Sequence, residues 1–328
     1  MTSTKAARLH DFGSGSETMC IETVNVVEPG PTEVLVSILA SPVHPADLNV
    51  IEGKYGKLPS LPAILGNESC GRVEQVGDQV STIRVGDLVA VMEPGNWCQS
   101  RVTAASNVIV LPSEIDPLQA CMLVINPLSA WAMIHLRGTP ETGAWIAQNA
   151  SNSAVGRCVI QIARELGLHT LNLVRREELR TELIGLGADI VHADPEQFIK
   201  TALPLSSRPA LGLNAVGGAA ALTIANAVAD GGDIVTYGAM GRQPLKIPNG
   251  MLIFRGLNFR GFWLRSWLSE THPTERDRVL LLLADWMQTG RLTMPVGLTF
   301  PLARVNNAIA EAARSGRSGK VIICPQSD

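Results

Sequence analysis

Aromatic residues are scarce in this chain: 4% of 328 residues, with only two tyrosines, Tyr55 and Tyr237. Long apolar runs are missing as well, and none reaches the ~18 residues that a membrane-spanning helix needs. Met1 to His10 lacks the apolar core of a secretory signal, so a cytoplasmic location is the expectation. Charge of one sign is also in short supply. A net charge of -3 gives neither nucleic acid nor a membrane surface an electrostatic hold. The six cysteines (Cys20, Cys70, Cys98, Cys121, Cys158 and Cys324) form no C-x-x-C pair and no metal-ligand spacing, and they read as reduced and mostly buried. What is present is a 46% hydrophobic content over a length that favours two domains of about 100 to 200 residues each.

One further shortage carries information. Gln148 to Gly156 lies between an apolar run, Ala144 to Ala147, and a stretch in which Val155, Val159, Ile160 and Ala163 recur at helical spacing. A strand, a turn of small residues and a helix start make a site where a dinucleotide pyrophosphate meets the positive helix end. The usual fingerprint there is G-x-G-x-x-G, but these positions read Ser151, Asn152, Ser153, Ala154, Val155, Gly156, and only the last glycine is kept. Taken alone, the segment fits a nucleotide site or a plain loop and helix cap.

The downstream pattern favours the nucleotide site. Apolar runs at Leu171 to Val174, Ala188 to Val191, Ala210 to Leu213 and Asp233 to Tyr237 alternate with helical patterns such as Glu177 to Leu186 and Ala219 to Val228. Such alternation, closed repeatedly by glycine, predicts a doubly wound parallel sheet in an α/β fold. The N-terminal third differs. Glu33 to Ala40, Gly71 to Val76 and Leu88 to Val91 read as short strands punctuated by glycine and proline, which suggests a small irregular β-barrel. Strand-like Lys320 to Cys324 near the end implies a chain that begins and ends in one domain, with the nucleotide fold inserted between.

Several blocks follow one another in an order that resembles a known family: Ser41-Pro42-Val43-His44-Pro45-Ala46-Asp47-Leu48-Asn49, Gly53-Lys54-Tyr55-Gly56, Leu65-Gly66-Asn67-Glu68, Asn126-Pro127, Gln148 to Gly156, Val235 to Met240, and Arg260-Gly261-Phe262-Trp263-Leu264. They resemble the zinc-independent medium-chain dehydrogenase/reductases, and within them the 2-enoyl thioester reductases of the mitochondrial enoyl reductase type. The resemblance implies a doubly wound Rossmann sheet, residues 123–265, inserted in a smaller GroES-like β-barrel catalytic domain, residues 1–122 and 266–328. Zinc-dependent relatives place a cysteine near Pro42 or Val43 and a histidine in a G-H-E motif. Here that motif reads Gly66, Asn67, Glu68, and near Pro94 to Arg101 only Cys98 could serve a structural zinc, so no metal is expected.

Without a metal, side chains must supply the proton and polarise the substrate. By resemblance Tyr55 donates the proton, Asn126 touches the nicotinamide end of the cofactor, and Trp263 walls the acyl channel. Residue type alone leaves Tyr55 equally a packed loop aromatic, Asn126 a helix cap and Trp263 an apolar strand residue. The resemblance further implies a cofactor surface of Asn126, Asn152, Ser153, Ala154, Val155, Gly156, Tyr237, Gly238, Ala239, Met240, Phe262, Trp263, Leu264 and Lys320. Arg175 and Arg176, after the second strand of the alternating region, offer cations to a 2′-phosphate and point to NADPH, although they also fit a solvated helix start followed by Glu177 and Glu178. The implied function is NADPH-dependent reduction of trans-2-enoyl thioesters on coenzyme A or acyl carrier protein. A quinone or alkenal reductase and a nucleotide-sensing binding protein are the alternatives. Partners implied are the small-molecule thioester and a second copy of the chain, with Met251 to Phe254 and Gly261 to Leu264 extending the sheet through a homodimer.

Overall fold

The computed structural model describes residues 2–13, 18–201, 203 and 207–327. It divides into two compact units, Met1–Ile125 with Asp277–Asp328, and Asn126–Arg276. Strands β1 (Thr2–Leu9), β2 (Met19–Val26), β3 (Glu33–Pro42), β4 (Ala63–Ile64), β5 (Ser69–Val76), β6 (Leu88–Val91), β7 (Ser100–Ala104) and β8 (Val108–Val110) belong to the first unit. Strands β9 (Trp145–Asn149), β10 (His169–Leu173), β11 (Ile190–His192), β12 (Leu211–Asn214), β13 (Asp233–Thr236) and β14 (Asn258–Gly261) build the second. Strands β15 (Val296–Pro301) and β16 (Lys320–Cys324) return to the first.

The first unit is the irregular β-structure expected from its glycine- and proline-rich punctuation. Its larger sheet runs β15-β16-β3-β5-β6-β8, with β7 also pairing with β3, and a smaller sheet runs β2-β1-β4. Alternation along β3 sends Val34, Val36 and Ile38 into a core with Val73, Val89 and Val91, each such side chain worth roughly 1.5–3 kcal/mol on burial. A second core lies under the helix Val305–Ala313, where Val305, Ala308 and Ile309 meet Val43, Val321 and Ile323. The last strand thus sits against the first long one, Ile323 opposite Ser41 and Ile322 opposite Pro42.

In the second unit all pairings are parallel, in the order β11-β10-β9-β12-β13-β14. This is the doubly wound arrangement, and its order reverses between β9 and β12, where such sheets take a ligand. The strands reach further into polar sequence than apolar patterning suggests. β9 continues through Gln148 and Asn149, and β10 includes Asn172, because these buried amides hydrogen-bond across the strands, with only Gln148 Oε1 left without a partner among their described polar atoms. Gln148 Nε2 donates to Asn172 Oδ1 (2.8 Å), and Asn149 Nδ2 donates to Asn214 Oδ1 (2.8 Å). Asn149 Oδ1 accepts from the Ala215 amide (2.8 Å), and Asn214 Nδ2 donates to Thr236 Oγ1 (3.1 Å). An amide ladder therefore crosses β10, β9, β12 and β13 near the ends where ligands bind.

Two expectations are corrected here. Met251 to Phe254 is not a strand: it falls in the helical turn Asn249–Ile253, whose backbone is satisfied locally by Met251 N to Pro248 O (2.9 Å) and Phe254 N to Gly250 O (3.0 Å). Trp263 lies outside any strand as well, at the N-cap of the helix Leu264–Glu270. That helix packs on Asn126–Ile134, which is why the second unit continues past residue 265.

Gly156, the one glycine kept from the fingerprint, explains its own retention. A Cβ there would lie 2.7 Å from Ser151 Cα and 2.7 Å from Ser151 O, backbone atoms that cannot swing away. Overpacking of this kind costs about 1–3 kcal/mol. Gly156→Ala is expected to lower the thermal midpoint by roughly 2–4 °C per kcal/mol lost; an unchanged midpoint in a thermal scan would show that the turn has room to spare.

Candidate active site

Four of the segments expected to hold the cofactor come together at the carboxyl end of the second unit's sheet. Asn152 to Gly156 follow β9, Arg175 and Arg176 follow β10, Tyr237 to Met240 follow β13, and Phe262 to Leu264 follow β14. The turn after β9 places Ala150 at φ 49, and Ser153 Oγ then caps the helix Ala154–Glu165 by accepting from Gly156 N (3.2 Å). A serine cap thus does the turn's work without the two missing glycines. The segment after β13 is tied to the one after β12 through Tyr237 N to Asn214 O (3.1 Å) and Met240 N to Ala215 O (3.1 Å). Close approach is required there too, since a Cβ on Gly238 would meet Ala215 O at 2.7 Å.

The polar groups at this edge suit a bound dinucleotide. Asn126 begins the helix Asn126–Ile134, is only 4% exposed, and its Nδ2 has no partner among the described residues. An orphaned buried donor asks for an acceptor. Tyr237 Oη is buried against Ser153 without a hydrogen bond of good geometry, and burial pushes its phenol upward. Arg175 and Arg176 are exposed. Arg176 lies 3.5 Å from Glu178, whereas Arg175 has no ion-pair partner among the described residues.

Tyr55 belongs to the first unit. The helix Pro45–Ile51 leads to it, Gly53 turns the chain at φ 70, and Lys54 N donates to Asn49 O (2.8 Å) just before the tyrosine. Its ring is half-buried against the core that holds Leu9, Val50 and Ile51, so the packing role open from residue type is realised in part.

Behind this helix lies a buried charge network that motif reading passed over. Lys320 Nζ donates to His44 Nδ1 (2.9 Å), and His44 Nε2 contacts Glu68 Oε1 (2.7 Å). The other carboxylate oxygen, Oε2, accepts from the amides of Val124 (2.6 Å) and Ile125 (2.9 Å). Because the ammonium needs an acceptor at Nδ1, the imidazole proton sits on Nε2 and is given to Glu68. Burial drives His44 well below its ordinary value, so the ring is neutral. Burial pushes Glu68 upward and Lys320 downward, while the Ile125 and Val124 amides and the mutual attraction of the two charges oppose those shifts. Three N–H donors converging on one carboxyl favour its ionised form, and the pair is an ion pair relayed through a neutral ring. Lys320, expected on the cofactor surface, is 6% exposed, and its ammonium donates within this network.

The same residues decide whether zinc could be held. Asn67 Nδ2 donates to Asp47 Oδ1 (2.7 Å), Glu68 is taken by two amides and a ring N–H, and a lysine ammonium lies beside His44. No group of three His, Cys, Asp or Glu able to hold a metal ion occurs among the described residues. The donor set does not fit zinc.

Comparison with known proteins agrees with this architecture. Residues 30–115 match the model of the alcohol dehydrogenase GroES-like domain, and residues 154–280 match that of the zinc-binding dehydrogenases. The Xenopus tropicalis protein named enoyl-acyl-carrier-protein reductase, mitochondrial, is 36% identical over 95% of this chain and 92% of its own. The chain belongs to the enoyl thioester reductases of the medium-chain dehydrogenase/reductase superfamily. The Homo sapiens member of the same name is 36% identical over 89% of this chain and 81% of its own. Among solved structures, a putative NADPH:quinone reductase from Bacillus thuringiensis superposes with a TM-score of 0.89 at 26% identity, covering 99% of each chain. A mutant enoyl thioester reductase from Candida tropicalis gives 0.88 at 26%, and an Etr1p complex with NADP and crotonyl-CoA gives 0.87 at 25%, each covering 99% of this chain and 100% of the other. This enoyl thioester reductase family member is a nicotinamide-dependent oxidoreductase with the expected α/β and GroES-like fold. The cytoplasmic expectation is overturned, because these relatives are named mitochondrial. The folded units hold no chemical record of their compartment, so composition could not have revealed it.

Asp47, at the third position of the helix Pro45–Ile51, accepts from His44 N (2.8 Å) and from Asn67. Burial raises its carboxyl from 3.8 to about 6, against the pull of those hydrogen bonds and of Lys320. A raised folded-state value means that the fold binds the proton more tightly than the unfolded chain. Its contribution to stability is therefore greatest below the unfolded value and is lost as pH rises to about 6. The stability of Asp47→Asn relative to the parent is expected to improve by about 2 kcal/mol between about pH 4 and pH 7. Denaturation curves at both pH values check this, and a difference independent of pH would contradict it.

Proposed function

We propose that this chain reduces the activated carbon–carbon double bond of trans-2-enoyl thioesters, carried on coenzyme A or acyl carrier protein, with NADPH. The observation that carries the reading is the unsatisfied, buried Asn126 amide in the unit whose sheet edge gathers the cofactor segments, in a chain that keeps Tyr55 within Gly53-Lys54-Tyr55-Gly56. The family membership and the relative solved with NADP and crotonyl-CoA support it.

NADPH, when bound, supplies a hydride to the β-carbon of the thioester. The Tyr55 phenol hydrogen-bonds the enolate oxygen and delivers a proton to the α-carbon, which completes the saturated thioester. Asn126 orients the nicotinamide end, and Ser129 on the same helix keeps a hydroxyl nearby in sequence. Trp263, 41% exposed, walls the acyl channel. Ser153 and the first amides of the helix Ala154–Glu165 hold the pyrophosphate, and Arg175 with Arg176 hold the 2′-phosphate. No zinc takes part, in keeping with the donor set. The working form is a homodimer: among the described residues β14 is paired on one side only, and Leu252, Ile253 and Phe254 beside it in sequence are exposed. The likeness to the putative NADPH:quinone reductase favours a second reading, a quinone or alkenal acceptor at the same site.

Cofactor choice is tested at Arg175. NADPH is expected to exceed NADH in kcat/KM by at least about tenfold, or ~1.4 kcal/mol. Arg175→Ala should narrow that gap while leaving NADH use nearly as it was; equal use of both cofactors by the parent refutes the assignment.

The proton donor is tested at Tyr55. Tyr55→Phe keeps the ring packing and removes the acid, so turnover of an enoyl thioester should fall by about 10² to 10⁴, with NADPH affinity and thermal midpoint little changed. Quinone turnover, in which no carbon is protonated, should suffer much less. Thioester turnover that stays within about twofold of the parent would leave Tyr55 a packing residue.

A further inference from the structure

We propose that Glu68 is a positioning residue for the reaction, holding through its two carboxylate oxygens the two backbone segments that lead to Tyr55 and to Asn126. The inference rests on the roles given above to those two residues. Glu68 is fully buried, so it touches neither solvent nor substrate. Oε1 meets His44, the N-cap of the helix Pro45–Ile51. That helix passes its register on through Glu52 N to Leu48 O (3.0 Å), Gly53 N to Val50 O (2.9 Å) and Lys54 N to Asn49 O (2.8 Å), which brings an anchored backbone to within one residue of Tyr55. Oε2 holds the amides of Val124 and Ile125, the last two residues before Asn126.

Each bond has a direction that only this set of groups supplies. The carboxylate offers acceptors alone, the amides offer donors alone, and Lys320 forces His44 to present its proton to Glu68. A neutral amide at position 68 could accept on one side only, and would turn an N–H toward either the amides or the ring. One arm would be lost while the side-chain volume stayed the same. Asp47 secures the helix start separately, through its bond to His44 N, so the helix itself survives that loss. The carboxylate's effect is on where Tyr55 and Asn126 stand, and a displacement of about 1 Å can cost as much as 10²-fold in rate.

The experiment is a double-mutant cycle between Glu68 and Tyr55, read with crotonyl-CoA and NADPH. Glu68→Gln is made with Lys320 retained, so that His44 still presents its N–H to position 68 and the amide cannot satisfy both arms. The variant should lose about 10- to 10²-fold in kcat with KM and NADPH affinity within about threefold of the parent. In the Tyr55→Phe background the same change should cost less than about threefold, because a donor that is gone cannot be misplaced. If Glu68→Gln fails to fold, Glu68→Asp, which keeps the charge and shortens the reach, is read by the same criteria. A folded Glu68 variant with parental kcat overturns the proposal, and so does a loss of equal size with and without the Tyr55 hydroxyl. A silent Tyr55→Phe refutes the proton-donor reading. A strong Tyr55→Phe effect joined to an absent or additive Glu68 effect refutes the positioning role alone.

Discussion

A carboxylate shut away from water must be met by donors on every side, and Glu68 imposes that demand on the first unit. Its answers come from distant parts of the chain: the ring of His44, the amides of Val124 and Ile125, and, through the ring, the ammonium of Lys320. Removing any one partner would strand a charge at a cost of several kcal/mol, so the four stand or fall together. β16, which carries Lys320, lies beside β3, whose end leads into His44. The strand pairing and the charge network are therefore two aspects of one closure, and the C-terminal residues complete the N-terminal fold.

The second unit answers the same constraint with neutral groups. Gln148, Asn149, Asn172 and Asn214 would each be costly in a sheet interior if alone, yet across four parallel strands they hydrogen-bond in a chain that offsets most of that cost. The ladder lies next to the turn Ala150 to Ser153, where a glycine-rich loop is the common solution. With the strand ends pinned by amides and the helix start capped by Ser153, the turn reaches its shape with Gly156 as its one glycine and with Ala150 at positive φ. A failed match to G-x-G-x-x-G thus reflects another way of building the same turn.

The charge that balances Glu68 comes from the chain itself. Lys320 supplies the cation, and His44 stands between it and the carboxylate. A protein-borne charge balances Glu68 without an open coordination position. In the mechanism proposed, that leaves polarisation and proton delivery to side chains elsewhere, with Tyr55 the principal one.

How much of this could be read from residues alone varies with the kind of interaction. Short-range patterns were legible: Leu88–Val91 and Lys320–Cys324 are strands over the expected residues, and the alternation after Gln148 is a doubly wound sheet. Gly156 and Ser153 stand at the turn where sequence placed a helix start, since steric space and capping act within a few residues. Resemblance put Met251 to Phe254 in an extended sheet, whereas the run falls at a helical turn, and apolar patterning cut β9 short at Ala147, because the amide partners of Gln148 and Asn149 lie on other strands. The same limit hid the Glu68 network. His44 and Lys320 are 276 residues apart in sequence, and a hydrogen bond of 2.9 Å between them exists only once β16 has been laid against β3. Sequence determined most of the segments that become strands and helices, and the turn after β9, since those choices depend on near neighbours. Tertiary structure alone decided which buried charges face one another, because burial and hydrogen-bond direction are properties of the packed chain.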